Sequence, residues 1–593
     1  MSIKIAILDS GVKIDHPAFH SVKIKGFSLH VNEKGVYQSN DFEDHIGHGT
    51  AIFYLISTQL KKAEIYNIKI IDSHMRLKQD DLEKVLQYIY DNFYFDIINI
   101  SMGLVRCGCV NKLQEICDKI HEKGTLIVSA FDNNGAISFP AALNNVVGID
   151  SQVMPELKND YIYIENSIVN IVGHQSRMRV AWINPDYIIV HGNSFTCANV
   201  TVQCAYQIIN NGYYDIKALC KNKQVFTKKI ESRLPFKINK AAVFPFNKEI
   251  HALARFENML NFEIIDYFST RITGQIGKRI ADILPDCHNE RIIKNIDSIQ
   301  WDQFDTLIIG HQEKLSMLTN KKWGETILNV AIKKRKNIFC FDPIDSYIIK
   351  GTPPKNLYYP KFNENFFVKR FGKLYKSNKP ILSVIGTSSQ QGKFTLQLLL
   401  RKKLIQRGYY VGQLGTEPSS LLFNLDFVFP CGYNGQIRLD ISQTITAIND
   451  LIWDISQKDP DIIITGGQSG LLAYNDSNAL FNSFYHQLVF SAIQPDAIIL
   501  CINPYDDINF IERTIKVSES LSNGKIIGIV CYPMDITEGW KGRMGSKSRI
   551  SSHKILELKN KINKKLYNNI QLYMLDDDSD IDNLIDTIIS FFR

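Results

Sequence analysis

No stretch of this chain is apolar over the ~18 consecutive residues that a membrane-spanning helix requires, and none has the character of an interfacial anchor. No block of one charge stands out either. Lys and Arg outnumber Asp and Glu by only seven, and the basic run Lys333-Lys334-Arg335-Lys336 lies within a helical pattern, where it reads as a solvated face. Neither a membrane nor a nucleic acid is therefore expected as a partner. Short-period repeats and long low-complexity tracts are also missing, which excludes solenoids and disordered scaffolds. The eleven cysteines are odd in number and scattered, so they fit reduced thiols better than a disulfide framework. The opening residues run strand-like into Asp9 and leave no space for a charged region, an apolar region and a cleavage site. A cytoplasmic location is the expectation.

What is present is ordinary globular material, 45% hydrophobic and 22% charged over 593 residues, too long for one core and suited to two to four domains. Three stretches each restart an alternation of short β-branched strands and helical segments, the pattern of parallel α/β layers. The first, 1–225, begins at Ile3. The second, 236–375, opens with Ala241-Ala-Val-Phe-Pro245 and continues through strands at 262–266, 306–310 and 337–341, a Rossmann-like unit. The third, 376–593, opens with Ile381-Leu-Ser-Val-Ile385 and adds strands near Val411 and at 461–465, 497–501, 526–530 and 571–574.

Within the first stretch, separated blocks carry an acid, a base and a nucleophile. Ile5-Ala-Ile-Leu-Asp9-Ser-Gly puts a carboxylate at the C-terminal edge of a buried strand, where it can fix the tautomer of an imidazole. Asp44-His-Ile-Gly47-His48-Gly49-Thr50 starts a helix with a histidine between glycines. His191-Gly192-Asn193-Ser194-Phe-Thr-Cys-Ala198 places a serine at a helix N-terminus, an end that favours developing negative charge. Taken singly, these are a turn residue, a helix-entry polar residue and an N-cap. A zinc reading of His45 and His48 lacks a partnering cluster, and Cys107-Gly-Cys109 lacks the second pair a redox or metal site needs.

Together the blocks, in the order Asp, His, Ser, resemble the three signature segments of the subtilase family of serine peptidases, over about the first third of the chain. The resemblance implies a subtilisin-like parallel-sheet domain with Asp9, His48 and Ser194 as catalytic triad. Val128-Ser-Ala-Phe-Asp-Asn133-Asn-Gly, followed by Ser138-Phe-Pro140-Ala, matches the family's oxyanion segment. Asn133 is thereby implied as the oxyanion donor, an interaction worth ~3 to 4 kcal/mol in such catalysis. Asn99-Ile-Ser101-Met102-Gly103 matches the strand that pairs with an extended substrate, implying Ser101, Met102 and Gly103 as substrate-binding residues. Asn193, Asp132 and Asn199 stand where the family usually has Thr, Gly and Pro, and they make the fine geometry of the site the point to check.

The strand 381–385 runs into Gly386-Thr387-Ser-Ser-Gln-Gln-Gly392-Lys393-Phe-Thr395 and then a helix. Strand, glycine loop, lysine and helix make a phosphate cradle, with Lys393 reaching phosphate oxygens. The loop is one residue longer than the commonest P-loop spacing and resembles that of dethiobiotin-synthetase-like P-loop proteins. A P-loop NTPase-like domain is implied, binding ATP or GTP with magnesium, with Thr395 and Glu417 as candidate magnesium ligands. Gly415-Thr416-Glu417, the 461–470 segment and Asn503-Pro504 are candidate crevice loops. The last 360 residues or so resemble two-domain maturation proteins found with ribosomally made peptide natural products in bacteria.

The expected function is a cytoplasmic serine endopeptidase that removes the leader from a precursor peptide, other maturation enzymes being further candidate partners. Two alternatives stand beside it. One is an ATP-dependent peptide-modifying ligase or kinase with the protease fold as a peptide-binding module, the other a non-catalytic scaffold of a maturation complex.

Overall fold

The computed structural model describes residues 3–71, 79–108, 110–153, 160–165, 167–220, 222–225, 234–284, 287–343, 356–360, 373–431, 439–473, 484–534, 549–565 and 570–593. Cys109 of the Cys107-Gly-Cys109 pair lies outside the described residues. The chain divides into two compact units: residues 1–228 with 366–378, and residues 229–365 with 379–593.

The first unit is built on a ten-stranded sheet. Its parallel centre runs, neighbour to neighbour, through Val146–Gln152, Leu126–Ala130, Ile97–Ile100, Lys4–Asp9, Glu64–Lys69 and Lys25–Asn32. Lys4–Asp9, Ile97–Ile100 and Leu126–Ala130 are almost wholly apolar and buried, as central parallel strands covered on both faces must be. The helices His48–Gln59 and Asn193–Asn211 pack against each other and contribute Phe53, Ile56, Cys197 and Val200 to a shared core. Asp9 ends one central strand, and His48 and Asn193 begin the two helices, so the topology brings the three blocks to one edge of the sheet.

The second unit holds two all-parallel sheets. The six-stranded one is ordered Lys294–Asn295, Glu263–Ser269, Lys240–Phe244, Thr306–Ile309, Asn337–Cys340, Leu357–Tyr358. The seven-stranded one is ordered Phe427–Val428, Val411–Gly415, Ile462–Gly470, Ile381–Gly386, Ala497–Ile502, Lys525–Cys531, Leu572–Met574. Ile381–Gly386 sits where the winding direction changes, the place at which open α/β sheets bind ligands. The two sheets share a core in which Ile250 and Leu253 from the first meet Leu398, Leu421 and Phe423 from the second.

The α/β class with parallel sheets is as expected, and the strand restarts were legible. One element differs. Gly466 to Gly470 was expected as a loop after the strand at 461–465, but the strand runs on through Gly470. The glycines allow close approach: a Cβ on Gly466 would lie 2.1 Å from Gln397 Nε2, and one on Gly470 2.2 Å from the Thr387 carbonyl oxygen.

Candidate functional site

Asp9 closes its strand with a carboxylate only 1% exposed. Its Oδ1 accepts from the Ser10 backbone N–H at 2.8 Å and lies 2.8 Å from His48 Nδ1, with Oδ2 at 3.0 Å from the same nitrogen. The pair fixes the imidazole with Nε2 facing away from the carboxylate. Burial by itself would lower the His48 pKa, but the charge and hydrogen bond of Asp9, helped by Asp44, outweigh it and raise it above the ordinary value.

His48 is held in place by its helix entry. Asp44 Oδ1 accepts from the backbone N–H groups of Ile46 and Gly47, both at 2.9 Å, and Oδ2 accepts from Thr50 N at 2.9 Å and Thr50 Oγ1 at 2.6 Å. Asp44 therefore ties the Ile46-Gly47 turn to Thr50 N, an orphan amide of the helix's first turn. A side chain on Gly49 would place its Cβ 2.2 Å from the Gly11 carbonyl oxygen, so glycine is what lets the helix approach the strand carrying Asp9.

Ser194 is the second residue of its helix and 6% exposed. The ring of its neighbour Phe195 lies 5.7 Å, centroid to centroid, from the His48 ring. The Ser194 hydroxyl donates to the Ser101 carbonyl at 2.7 Å. The structure thus joins Asp9 to His48 directly and lays Phe195, the residue after Ser194, against the His48 ring, with the Ser194 hydroxyl turned onto the expected substrate strand. Ser101 is buried and bonds Asn99 Oδ1 at 2.8 Å, while Met102 and Gly103 are half-buried. Gly103 presses against Ser138, and Leu104 and Phe139 exchange backbone hydrogen bonds at 2.8 and 2.9 Å.

The substitutions Asn193 and Asp132 prove to be built into the site. Asn193 Nδ2 donates to the carbonyls of Phe131 at 3.0 Å and Asp132 at 3.3 Å, and its Oδ1 accepts from Ser151 N at 2.8 Å and Ser151 Oγ at 2.6 Å. Its backbone N–H donates to Asn133 Oδ1 at 2.9 Å, which leaves the Asn133 Nδ2 end of the amide as the free donor. Asn133 is exposed. Asp132 closes an Asx turn by accepting from Asn134 N at 2.8 Å, and its own backbone N–H donates to Ser138 Oγ at 2.8 Å. Asn199 bonds Met178 Sδ at 3.2 Å.

In the second unit, Gly386 ends its strand and Gly392, at φ 76°, precedes the helix Lys393–Gln406. Lys393 is 6% exposed and donates to the Ser388 carbonyl at 2.6 Å. Burial lowers its pKa to about 8, against the opposing pull of Cys501 and Glu417. A buried lysine held on a main-chain carbonyl at a strand-to-helix loop suits a phosphate group, and the donor set fits one. Thr387 Oγ1 donates to Asp506, and Gln391 Nε2 bonds both Thr387 and Asp506. Burial pushes the Asp506 and Glu417 carboxyls up. The Glu417 charge acts on Lys393, and Thr395 is half-buried in the first turn of the helix. Asn503, in one of the candidate crevice loops, accepts from Tyr505 N at 2.9 Å.

Sequence reasoning missed several of these residues. Asp506 lies beyond the Asn503-Pro504 pair that drew notice. His311 and Asp342 form a buried pair, 2.6 Å apart, at the ends of the adjacent strands Thr306–Ile309 and Asn337–Cys340. Burial would lower the His311 pKa, but Asp342, with Glu249 and Glu417, raises it. Only Asp44 had a usable signal, an acidic residue just ahead of a helix start. Among the described residues, no group of three or more His, Cys, Asp or Glu side chains is arranged to hold a metal ion, and no helix is long and apolar enough to cross a membrane.

Two segments of the chain match known families. Residues 1–222 match the subtilase family, and residues 370–538 match a domain of unknown function described as the DUF1611_C P-loop domain. The minor extracellular protease Epr of Bacillus subtilis is 27% identical over 164 residues, 25% of this chain and 23% of that protein. A subtilisin from Bacillus sp. strain TA39 is 25% identical over 214 residues, 32% of this chain and 47% of that protein. The chain thus spans less than half the length of these curated relatives. Among solved structures, the epidermin leader peptide processing serine protease from Staphylococcus aureus matches at 16% identity and a TM-score of 0.30, over 35% of this chain and 66% of that one.

Proposed function

We propose that this chain, which carries a subtilase domain and a P-loop domain, is a cytoplasmic serine endopeptidase that removes the leader from a ribosomally made precursor peptide. The observation that carries the reading is the bonded Asp9–His48 pair, packed on Phe195 next to Ser194 at a helix start, with the Asn133 amide oriented by the Asn193 N–H. Substrate binding turns the Ser194 hydroxyl away from the Ser101 carbonyl, which is then free to accept a peptide N–H. His48 takes the Ser194 proton as Oγ attacks the scissile carbonyl, and Asp9 steadies the imidazolium. Asn133 Nδ2 and the Ser194 N–H stabilise the oxyanion. His48 then protonates the leaving amine, and water hydrolyses the acyl-enzyme. The substrate class follows from the likeness of the C-terminal half to peptide-maturation proteins, which also makes other maturation enzymes candidate partners.

In the C-terminal half, Gly386, Thr387, Gly392 and Lys393 would hold the phosphates of ATP or GTP, with Thr395, Glu417 and Asp506 as the groups available to magnesium. A bound nucleotide would supply an activated phosphoryl group. A second reading draws on the Ser194 hydroxyl being bonded to Ser101 rather than His48: the protease fold would bind a peptide that the P-loop half modifies with ATP. Mass spectrometry of an encoded precursor incubated with the protein, with and without ATP, separates the two. Cleavage lost in Ser194→Ala supports the peptidase. Modification lost in Lys393→Ala and kept in Ser194→Ala supports the ligase or kinase, and equal cleavage by wild type and Ser194→Ala overturns the first reading.

A further inference from the structure

The first unit contains a segment far downstream of Ser194 in the sequence, Lys373 to Asn378, which lies beyond the expected Rossmann-like strands and just ahead of the strand Ile381–Gly386. Its Leu374 carbonyl accepts from Ile137 N at 2.8 Å, and Leu374 bridges Ala136 as a parallel partner. Residues 136–139, already bridged to Leu104 at Phe139, are thereby bridged to Leu374 at their other end. Asn378 Nδ2 donates to the Cys107 carbonyl at 2.6 Å, and the Tyr375 hydroxyl bonds Asn378 Oδ1 at 3.0 Å. The segment is a strap fastened at both ends to the loops around the substrate strand and Asn133.

Lys373 is the buried end of that strap. Its Nζ lies 2.8 Å from Asp150 Oδ1, with the two side chains 4% and 3% exposed. It also donates to the Asp132 carbonyl at 3.4 Å and lies 5.6 Å from the centre of the Phe131 ring. The Asp132 carbonyl belongs to the peptide unit whose N–H is that of Asn133, so a donor on that oxygen sets the plane from which Asn133 projects. Asn193 Nδ2 holds the same carbonyl from the side of the nucleophile. Asp150 directly precedes Ser151, which grips the other end of the Asn193 amide. The ion pair therefore spans the two elements that Asn193 joins. Removing Lys373 alone would leave the Asp150 charge buried without its partner beside that clamp.

The geometry points to Lys373 as a positioning residue of the oxyanion site, supplied to the peptidase unit by the strap and acting through Asn133. This rests on the peptidase reading above. The test uses the full chain and a fluorophosphonate probe, and it reads the rate and affinity of labelling at Ser194. Wild type labels and Ser194→Ala does not; if wild type is not labelled, the peptidase reading fails before the strap is tested. Lys373→Met slows the maximal labelling rate about tenfold with little change in probe affinity, and Lys373→Arg restores most of it. The midpoint of the pH profile stays put, because His48 and Asp9 are untouched. In an Asn133→Ala background Lys373→Met costs less than about twofold, since a residue acting through Asn133 has nothing left to position. If Lys373→Met fails to fold, Asp150→Leu/Lys373→Met, which removes both charges together, is read in its place. An unchanged rate in the folded variant, or an equal slowing with Asn133 absent, overturns the proposal.

Discussion

His48 Nδ1 and Asp9 Oδ1 stand 2.8 Å apart, with the carboxylate almost sealed from solvent and the imidazole 17% exposed. The Asp9 charge favours imidazolium, so the His48 pKa is raised although burial opposes it. A general base must start neutral, so labelling at Ser194 should rise with pH through a midpoint above the ordinary histidine value of about 6.5. The linked contribution to stability runs the other way. A raised folded-state pKa stabilises the fold fully below the unfolded value, and that contribution is lost as pH rises through the folded one. Asp9→Asn should remove both effects and slow labelling by about 10⁴-fold. A pH series of labelling rates beside thermal melts checks the opposite signs.

Asn193 makes four side-chain hydrogen bonds, to Phe131, Asp132 and twice to Ser151, from the residue next to the nucleophile. Asn193→Ala should destabilise the first unit by about 1 to 3 kcal/mol, since buried partners are left without bonds. It should slow labelling more than it weakens probe affinity. Asn193→Thr, which matches the family's usual residue, cannot reach all four partners and should recover only part of either. Denaturant midpoints and labelling kinetics on the three proteins provide the comparison.

The local parts of the fold were readable because each announces itself in a short window. Ile5 to Asp9 is a continuous apolar run ending in a carboxylate, and Gly386 to Lys393 is a glycine loop between strand and helix. What escaped was set by contacts between distant segments. Nothing near Lys373 marks it as the partner of Asp150, and nothing near His311 points to Asp342. The strand through Gly470 was also hidden, since Gly466, Gly467 and Gly470 read locally as a loop and only the packing of Gln397 and Thr387 explains the first and last of them. Asn193 read as a flaw against the family pattern, yet Ser151 and the Phe131 and Asp132 carbonyls make it the residue that joins the site.

The crowding at Gly466 is itself testable. A Cβ there would lie 2.1 Å from Gln397 Nε2, and Gln397 sits one turn beyond Lys393 on the same helix. Gly466→Ala should cost about 1 to 3 kcal/mol through overpacking and displace the start of that helix. Phosphate affinity should fall with it, while labelling at Ser194 keeps its wild-type rate. Isothermal titration with ATP and magnesium, run beside fluorophosphonate labelling, reads both.

Lys393, with a pKa lowered to about 8 by burial, is partly deprotonated in mildly alkaline solution. A polyphosphate set against its ammonium would favour the charged form, so binding should draw a proton from solvent. Titrating ATP and magnesium near pH 8 in buffers of different ionisation enthalpy should therefore give an apparent binding enthalpy that changes with the buffer in the sense of proton uptake. Affinity should fall between pH 7 and 9 as the free lysine loses its charge. Lys393→Arg stays charged across that range, so its binding should lose both the uptake and the fall. A buffer-independent enthalpy in the wild type would mean that the nucleotide does not meet Lys393.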